Sequence, residues 1–220
     1  MINLKIKNQN GRSMIEMLGV LAIIGVLSVG GIAGYSKAMM KYRINKTIEQ
    51  ITLIAGNVRA FWGPQKNYKG LSSGTDEGKA IIQKAKLVPD EMWNEDKTAM
   101  ENAFGAKVGL SNATKAKSGD AQAFIISYRI PIEMQEVCIE LLSYDWTIAG
   151  VKGIVVFEAD ATSNRMSGNP VGKTPINIDD AIKLCNPVRS DSIYKVLSML
   201  FDVDDECVTA RNGYFAGVCK

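Results

Sequence analysis

Gly11-Arg12-Ser13-Met14-Ile15-Glu16 leads without a break into an apolar run, Met17-Leu18-Gly19-Val20-Leu21-Ala22-Ile23-Ile24-Gly25-Val26-Leu27-Ser28-Val29-Gly30-Gly31-Ile32-Ala33-Gly34-Tyr35. The nineteen residues Met17–Tyr35 contain no charge. As a helix rising ~1.5 Å per residue they are about long enough to cross a hydrocarbon core of ~30 Å. The stretch therefore reads as a membrane segment, with Glu16 at its N-terminal edge. An ionisable group is disfavoured in that setting, by ~2.5 kcal/mol or more at the bilayer centre and by less near the interface, so Glu16 calls for a compensating partner. Ser13 and Glu16 also fit an S-x-x-E capping box, which needs no function beyond starting a helix. An ordinary signal peptide fits poorly, because no small-x-small cleavage site follows closely and the apolar run continues into an amphipathic pattern. A plain single-span anchor remains open.

The pattern continues as Ile44, Ile48, Ile51, Ala55, Val58 and Trp62, spaced by threes and fours, until Gly63-Pro64 ends it. One helix over residues 14–62 follows, and its 49 residues would span roughly 74 Å. That is too long for a small domain, so only the second half can pack on a globular head. Gly19, Gly25, Gly30, Gly31 and Gly34 weaken the first half as an isolated helix. In a membrane or a filament they permit close helix approach.

A short basic leader ending in Gly11, a Glu five residues later and then about twenty apolar residues resemble the class III signal of type IV prepilins and pseudopilins. The resemblance implies that a membrane prepilin peptidase cuts between Gly11 and Arg12 on the cytoplasmic side, that the helix stays on the mature chain, and that Glu16, with the new N-terminus at Arg12, serves assembly. The family usually begins its mature chain with Phe or Met, which is then N-methylated; here Arg12 stands in that place. The stretches Leu87-Val-Pro-Asp-Glu-Met-Trp93 and Asn102-Ala-Phe-Gly105 resemble the loop after the long helix in the type IVb subgroup. The resemblance covers residues 11–62 strongly, runs more loosely to Cys185 and stops there, where some thirty further residues replace the family's usual ending.

Composition agrees with one exported head. The chain has 220 residues, 26 basic and 23 acidic, and loss of a leader carrying Lys5 and Lys7 leaves 24 basic against 23 acidic. That balance gives no nucleic-acid footprint. The basic residues Lys5, Lys7 and Arg12 before the apolar run and Lys37, Lys41, Arg43 and Lys46 after it leave the charge rule for orientation undecided. The cysteines decide. Cys138, Cys185, Cys207 and Cys219 all lie beyond the run, and their even number suits an oxidising compartment outside the cytoplasm. Four cysteines allow three pairings. Cys138 and Cys185 match in position the pair that staples the C-terminal region of type IVb pilins, which implies 138–185 and leaves 207–219 across a short Gly-containing loop. The sequence has no His, nucleotide-binding loop, metal-spaced ligand set or nucleophile elbow, so no catalytic residue, metal site or cofactor is expected.

Residues 70–118 read as a connecting region rich in Gly, Ser and Lys, with a short helix over Asp76 to Leu87 stopped by Pro89 and with Lys115 and Lys117 on a solvated loop. Asn112-Ala-Thr114 matches a glycosylation sequon, to which a bacterial family gives no weight. Ala121 to Ile130 and Lys152 to Phe157 read as strands, Ile132 to Leu142 and Asp179 to Cys185 as helices, and Ser192 to Phe201 as either. Asp202, Asp204, Asp205 and Glu206 suggest calcium, but the glycine turn of an EF-hand is missing and a solvated acidic loop is the better reading.

The fold class expected is α+β, a long N-terminal helix with an antiparallel sheet as the head. The expected parts are a leader at 1–11, a hydrophobic transmembrane and polymerisation helix at 12–35, its amphipathic half at 36–63 and a disulfide-bonded head at 64–220. The expected function is that of a type IVb pilus subunit, held in the bacterial inner membrane as prepilin and then displayed in an extracellular filament. Its expected partners are other copies of itself, prepilin peptidase, the inner-membrane assembly machinery and lipid. Two alternatives stand beside it, a pseudopilin or minor pilin of a secretion or conjugation system, and a bitopic membrane protein with a periplasmic binding head.

Overall fold

A computed structural model of the chain describes residues 14–65, 67–115, 122–160, 169–171, 174–188, 190–202 and 208–209. The chain divides into two compact units, Met1–Tyr42 and Arg43–Lys220.

One helix, α1 (Met14–Trp62), runs through both. It stops where the sequence predicts, at a single 3-10 turn, Gly63–Gln65, because Pro64 has no N–H to continue the ladder. In the first unit every residue from Met14 to Ala38 is exposed. In the second, Ile44, Ile51, Ile54, Ala55, Val58 and Trp62 are buried, and Ile48 of the predicted stripe is half-buried.

The head is a sheet of antiparallel pairs. Its strands are β1 (Met100–Glu101), β2 (Lys107–Lys115), β3 (Ala123–Pro131), β4 (Val151–Ala159), β5 (Asn169–Val171), β6 (Tyr194–Phe201) and β7 (Val208–Thr209). They lie in the order β1-β2-β3-β6-β4-β5, with β7 paired to the far end of β2. Helices α2 (Asp76–Lys84), α3 (Gln135–Ser143) and α4 (Ile178–Cys185), with a second 3-10 turn at Asp90–Met92, complete the described elements.

The last long strand is the central one. β6 pairs with β3 over Phe124↔Phe201 to Pro131↔Tyr194 and with β4 from Val151↔Phe201 to Ala159↔Tyr194. Its run Tyr-Lys-Val-Leu-Ser-Met-Leu-Phe is buried from Lys195 onward, so both faces are covered and the polar-apolar alternation of a half-buried strand is lost. One face, carrying Phe124, Tyr128 and Phe201, meets the second half of α1. Tyr128 donates from its hydroxyl to Gln50 Oε1 at 3.1 Å, and the Arg59 guanidinium sits over the Phe124 and Phe201 rings at 5.9 and 5.5 Å. Burial of its phenol raises the pKa of Tyr128, so the group stays a neutral donor at any ordinary pH. The opposite face holds a second apolar cluster of Ala113, Ala123, Ile125, Val155, Phe157, Ala159, Val196 and Leu200.

Three expectations are corrected. The region 70–118 is not only a connection: β2 fills Lys107–Lys115, so Lys115 ends a strand paired with Val208, while Lys117 lies outside the described residues. The first helix of that region ends at Lys84 rather than near Leu87. There Lys86 adopts the left-handed conformation (φ 48°), and the Lys86 and Leu87 N–H groups turn back to Gln83 O and Ile82 O, a Schellman ending built without glycine. Finally, a strand does follow the last bridged helix: β6 starts nine residues after Cys185 and runs to Phe201.

Candidate functional site

Gly11, Arg12 and Ser13 lie outside the described residues, as do Cys207 and Cys219. Glu16 is in the first turn of α1, where a carboxylate is favoured by the helix dipole. Behind it the chain exposes Met17, Leu18, Val20, Leu21, Ile23, Ile24, Val26, Leu27, Val29 and Ile32, each about half or more accessible. An unbroken apolar cylinder of this kind is out of place in water. The segment is long and apolar enough to cross a membrane.

Its few polar groups are satisfied internally. The Ser28 hydroxyl donates to Ile24 O at 2.7 Å and that of Ser36 to Ile32 O at 3.0 Å, which hides both in the helix's own backbone. A Cβ placed on Gly19, Gly25, Gly30, Gly31 or Gly34 would meet nothing within 4 Å. Nothing among the described residues thus requires these glycines, although each weakens the helix by up to ~1 kcal/mol relative to Ala. A closely approaching second helix would supply the reason.

In the head, the two cysteines on neighbouring helices are joined. Cys138 on α3 and Cys185 at the end of α4 form a disulfide with Cα atoms 5.8 Å apart, both residues buried. This is the pairing the family resemblance implies. The bridge closes a loop of sequence separation 47. Replacing both residues with Ala should lower the unfolding free energy by about 4 kcal/mol, mostly through a freer unfolded chain. Denaturant titration checks this, and a loss under ~1 kcal/mol would mean that the helices are held by packing alone. The outer surface of α3 and the start of α4 line an open groove of about 610 Å³ with Glu136, Ile139, Glu140, Tyr144 and Ile178.

The acidic stretch after β6 divides. Asp204, Asp205 and Glu206 lie outside the described residues, but Asp202 is already engaged. Its carboxylate accepts from Arg59 Nε at 2.8 Å and from the Tyr68 hydroxyl. Arg59 also donates to Ala149 O at 2.8 Å and Gly150 O at 3.2 Å, and a Cβ on Gly150 would run into that guanidinium. This cluster clamps α1 to the end of the central strand. Burial, and then the hydrogen bond to Asp202, raise the Tyr68 pKa, so its phenol remains a donor. Among the described residues no group of acidic, His or Cys side chains could hold a metal ion.

Sequence reading found the long helix and the bridged cysteines but missed this clamp and a buried ion pair, Glu158 with Lys195, on β4 and β6. The only signal for the pair was a charge inside each of two apolar runs.

A long N-terminal helix, half exposed and apolar, half packed on an antiparallel sheet whose C-terminal helices are disulfide-bonded, is the architecture of a pilin subunit. The sequence profile of the bundlin family matches residues 37–196. The chain belongs to the bundlin family of type IVb pilins, a family of structural subunits and not of enzymes. A crystal structure of the type IVb pilin from Salmonella typhi is similar at 16% identity, over 72% of this chain and 99% of that one, with a TM-score of 0.49. No curated protein matches the sequence.

Proposed function

We propose that the chain is made as a prepilin, held in the bacterial inner membrane by the first half of α1, cut by prepilin peptidase between Gly11 and Arg12, and polymerised through that helix into an extracellular type IVb pilus. The observation that carries the reading is α1 itself. One uninterrupted helix joins a wholly exposed apolar half to a half that is part of a bundlin-family head. A helix of this kind needs lipid in one state and other helices in another, since its apolar side chains are buried by nothing among the described residues. A head with buried cysteines joined in a disulfide suits the oxidising side of the membrane.

The reading is tested at the N-terminus. Mass spectrometry of the protein from its native membrane should find a chain that begins at Arg12, with or without one added methyl group. A protein that retains Met1 would overturn both cleavage and the assembly role of Arg12.

A further inference from the structure

The sheet has a second apolar face, on the side away from α1. Side chains alternate along each strand, so Ile125, Phe157, Val196 and Leu200 stand opposite to Phe124, Tyr128 and Phe201, which meet α1. The eight residues of this second cluster are between 0% and 7% accessible, and all of them belong to β2, β3, β4 and β6. The described helices are anchored to the other side. The loop after α2 joins α1 there, with Asn57 Nδ2 3.2 Å from Leu87 O. The turn after α4 accepts a hydrogen bond from Lys195, which points the same way as Leu197, Met199 and Phe201, and the disulfide ties α3 to α4. A sheet face is buried to this degree only under a second layer. We infer that this face is the docking surface of the C-terminal segment, residues 210–220.

Four observations single out that segment. The first is where it begins. β7 pairs with Thr114 and Lys115, the two residues that follow Ala113 of the cluster, so the chain leaves Thr209 at the rim of the face. The second is reach. Eleven residues extend up to ~36 Å at ~3.3 Å each, whereas four strands spaced by ~4.8 Å are ~14 Å across. The third is composition. Tyr214, Phe215 and Val218 put three large apolar side chains within five residues. By contrast, residues 116–121 and 161–168 have Met166 as their only large apolar side chain, and residues 203–207 include Asp204, Asp205 and Glu206. The fourth is shape. Gly109, Ser127 and Ser198 stand side by side on this face, a trough of small residues across three strands that fits a flat ring. The two hydroxyls satisfy each other at 2.7 Å, so a ring laid over them leaves no polar group stranded.

The test places benzoylphenylalanine, a photo-crosslinking residue, at Tyr214 or at Phe215 of the full-length protein in detergent micelles. Irradiation of at least one of the two variants should join it, within the same molecule, to a peptide of β3, β4 or β6 that carries Ile125, Phe157 or Leu200. Crosslinks from both positions that reach only α3 and α4, only a second molecule, or nothing at all overturn the inference. The unaltered protein gives a reading that no substitution can spoil. Hydroxyl radicals should modify Tyr214 or Phe215 several-fold more slowly in the native protein than in urea, and equal rates at both residues would overturn the inference too.

Discussion

Glu16→Gln is expected to give a protein that is cut after Gly11 and inserted in the membrane as usual, yet yields few or no filaments. Cleavage would expose an α-amino group on Arg12, with an ordinary pKa near 7.7 to 8.0, beside the Arg12 guanidinium. When helices stack in a fibre, the N-terminus of one subunit can meet Glu16 of another. At ~4 Å and an effective dielectric of ~20 the attraction is on the order of 4 kcal/mol, from which desolvation must be subtracted. The penalty for an unmade pair is the stronger control, because a subunit docked out of register leaves charges in an apolar bundle. On this account the charge pair sets the register. The competing account, in which Glu16 only caps α1, gives the opposite result, since Gln also serves in a capping box and helix and assembly should survive. Filaments sheared from the cell surface measure the difference. Wild-type yield from Glu16→Gln would leave Glu16 as a cap in the first turn of α1.

How much of this was legible in the sequence depended on how local the signal was. α1 was read to both ends, Met14 and Trp62, because a long 3.6-residue period and a Gly-Pro stop are local and redundant. β2 was missed because Gly109, Asn112 and Lys115 are poor strand formers, leaving Val108 and Leu110 as the only alternation. Its formation depends on pairing with β3 from Val108↔Tyr128 to Ala113↔Ala123, which a window confined to β2 itself does not contain. β6 stayed undecided between helix and strand for the opposite reason: burial on both faces removes the period that would distinguish them. The end of α2 was placed too late because Lys86 takes a left-handed conformation that sequence signals reserve for Gly or Asn. The candidate site divides in the same way. The apolar half of α1 and Glu16 are written in a contiguous stretch. The Arg59–Asp202–Tyr68 clamp joins residues up to 143 positions apart and exists only once the sheet has closed.

The buried pair Glu158 and Lys195 should prove the costliest point in the head to disturb from one side. The two face each other across β4 and β6, with side chains only 7% and 5% accessible and Nζ 2.7 Å from Oε1. Glu158 also accepts from the Val188 N–H at 2.8 Å and the Ser192 hydroxyl at 2.9 Å, and Lys195 donates to Asn186 O at 2.6 Å. Together they pin the segment after α4, and with it Cys185, to the centre of the sheet. Burial alone would raise the Glu158 pKa. The hydrogen bond from Lys195, then those from Val188 and Ser192, outweigh burial and hold it below the ordinary carboxylate value. A depressed carboxylate contributes stability above its unfolded pKa and loses it as pH falls through the folded one, so this contribution is intact at neutral pH and disappears in acid below about pH 4. Lys195→Met removes the main counterweight and strands a buried carboxylate, and unfolding at pH 7 should become easier by about 3 to 5 kcal/mol. In that variant burial should win, lifting the Glu158 pKa above its unfolded value. Its deficit should then shrink as pH is lowered and Glu158 takes up a proton, a trend opposite to that of the pair in the wild type. Glu158→Gln/Lys195→Met keeps an acceptor for the Val188 N–H and places an amide that can donate to the Ser192 hydroxyl, without a charge, and should recover much of the loss. Urea titrations of the three proteins at pH 7 and pH 4 would decide it. A single variant no less stable than the double, or a deficit independent of pH, would show that the two strands are held there by packing and not by the charge pair.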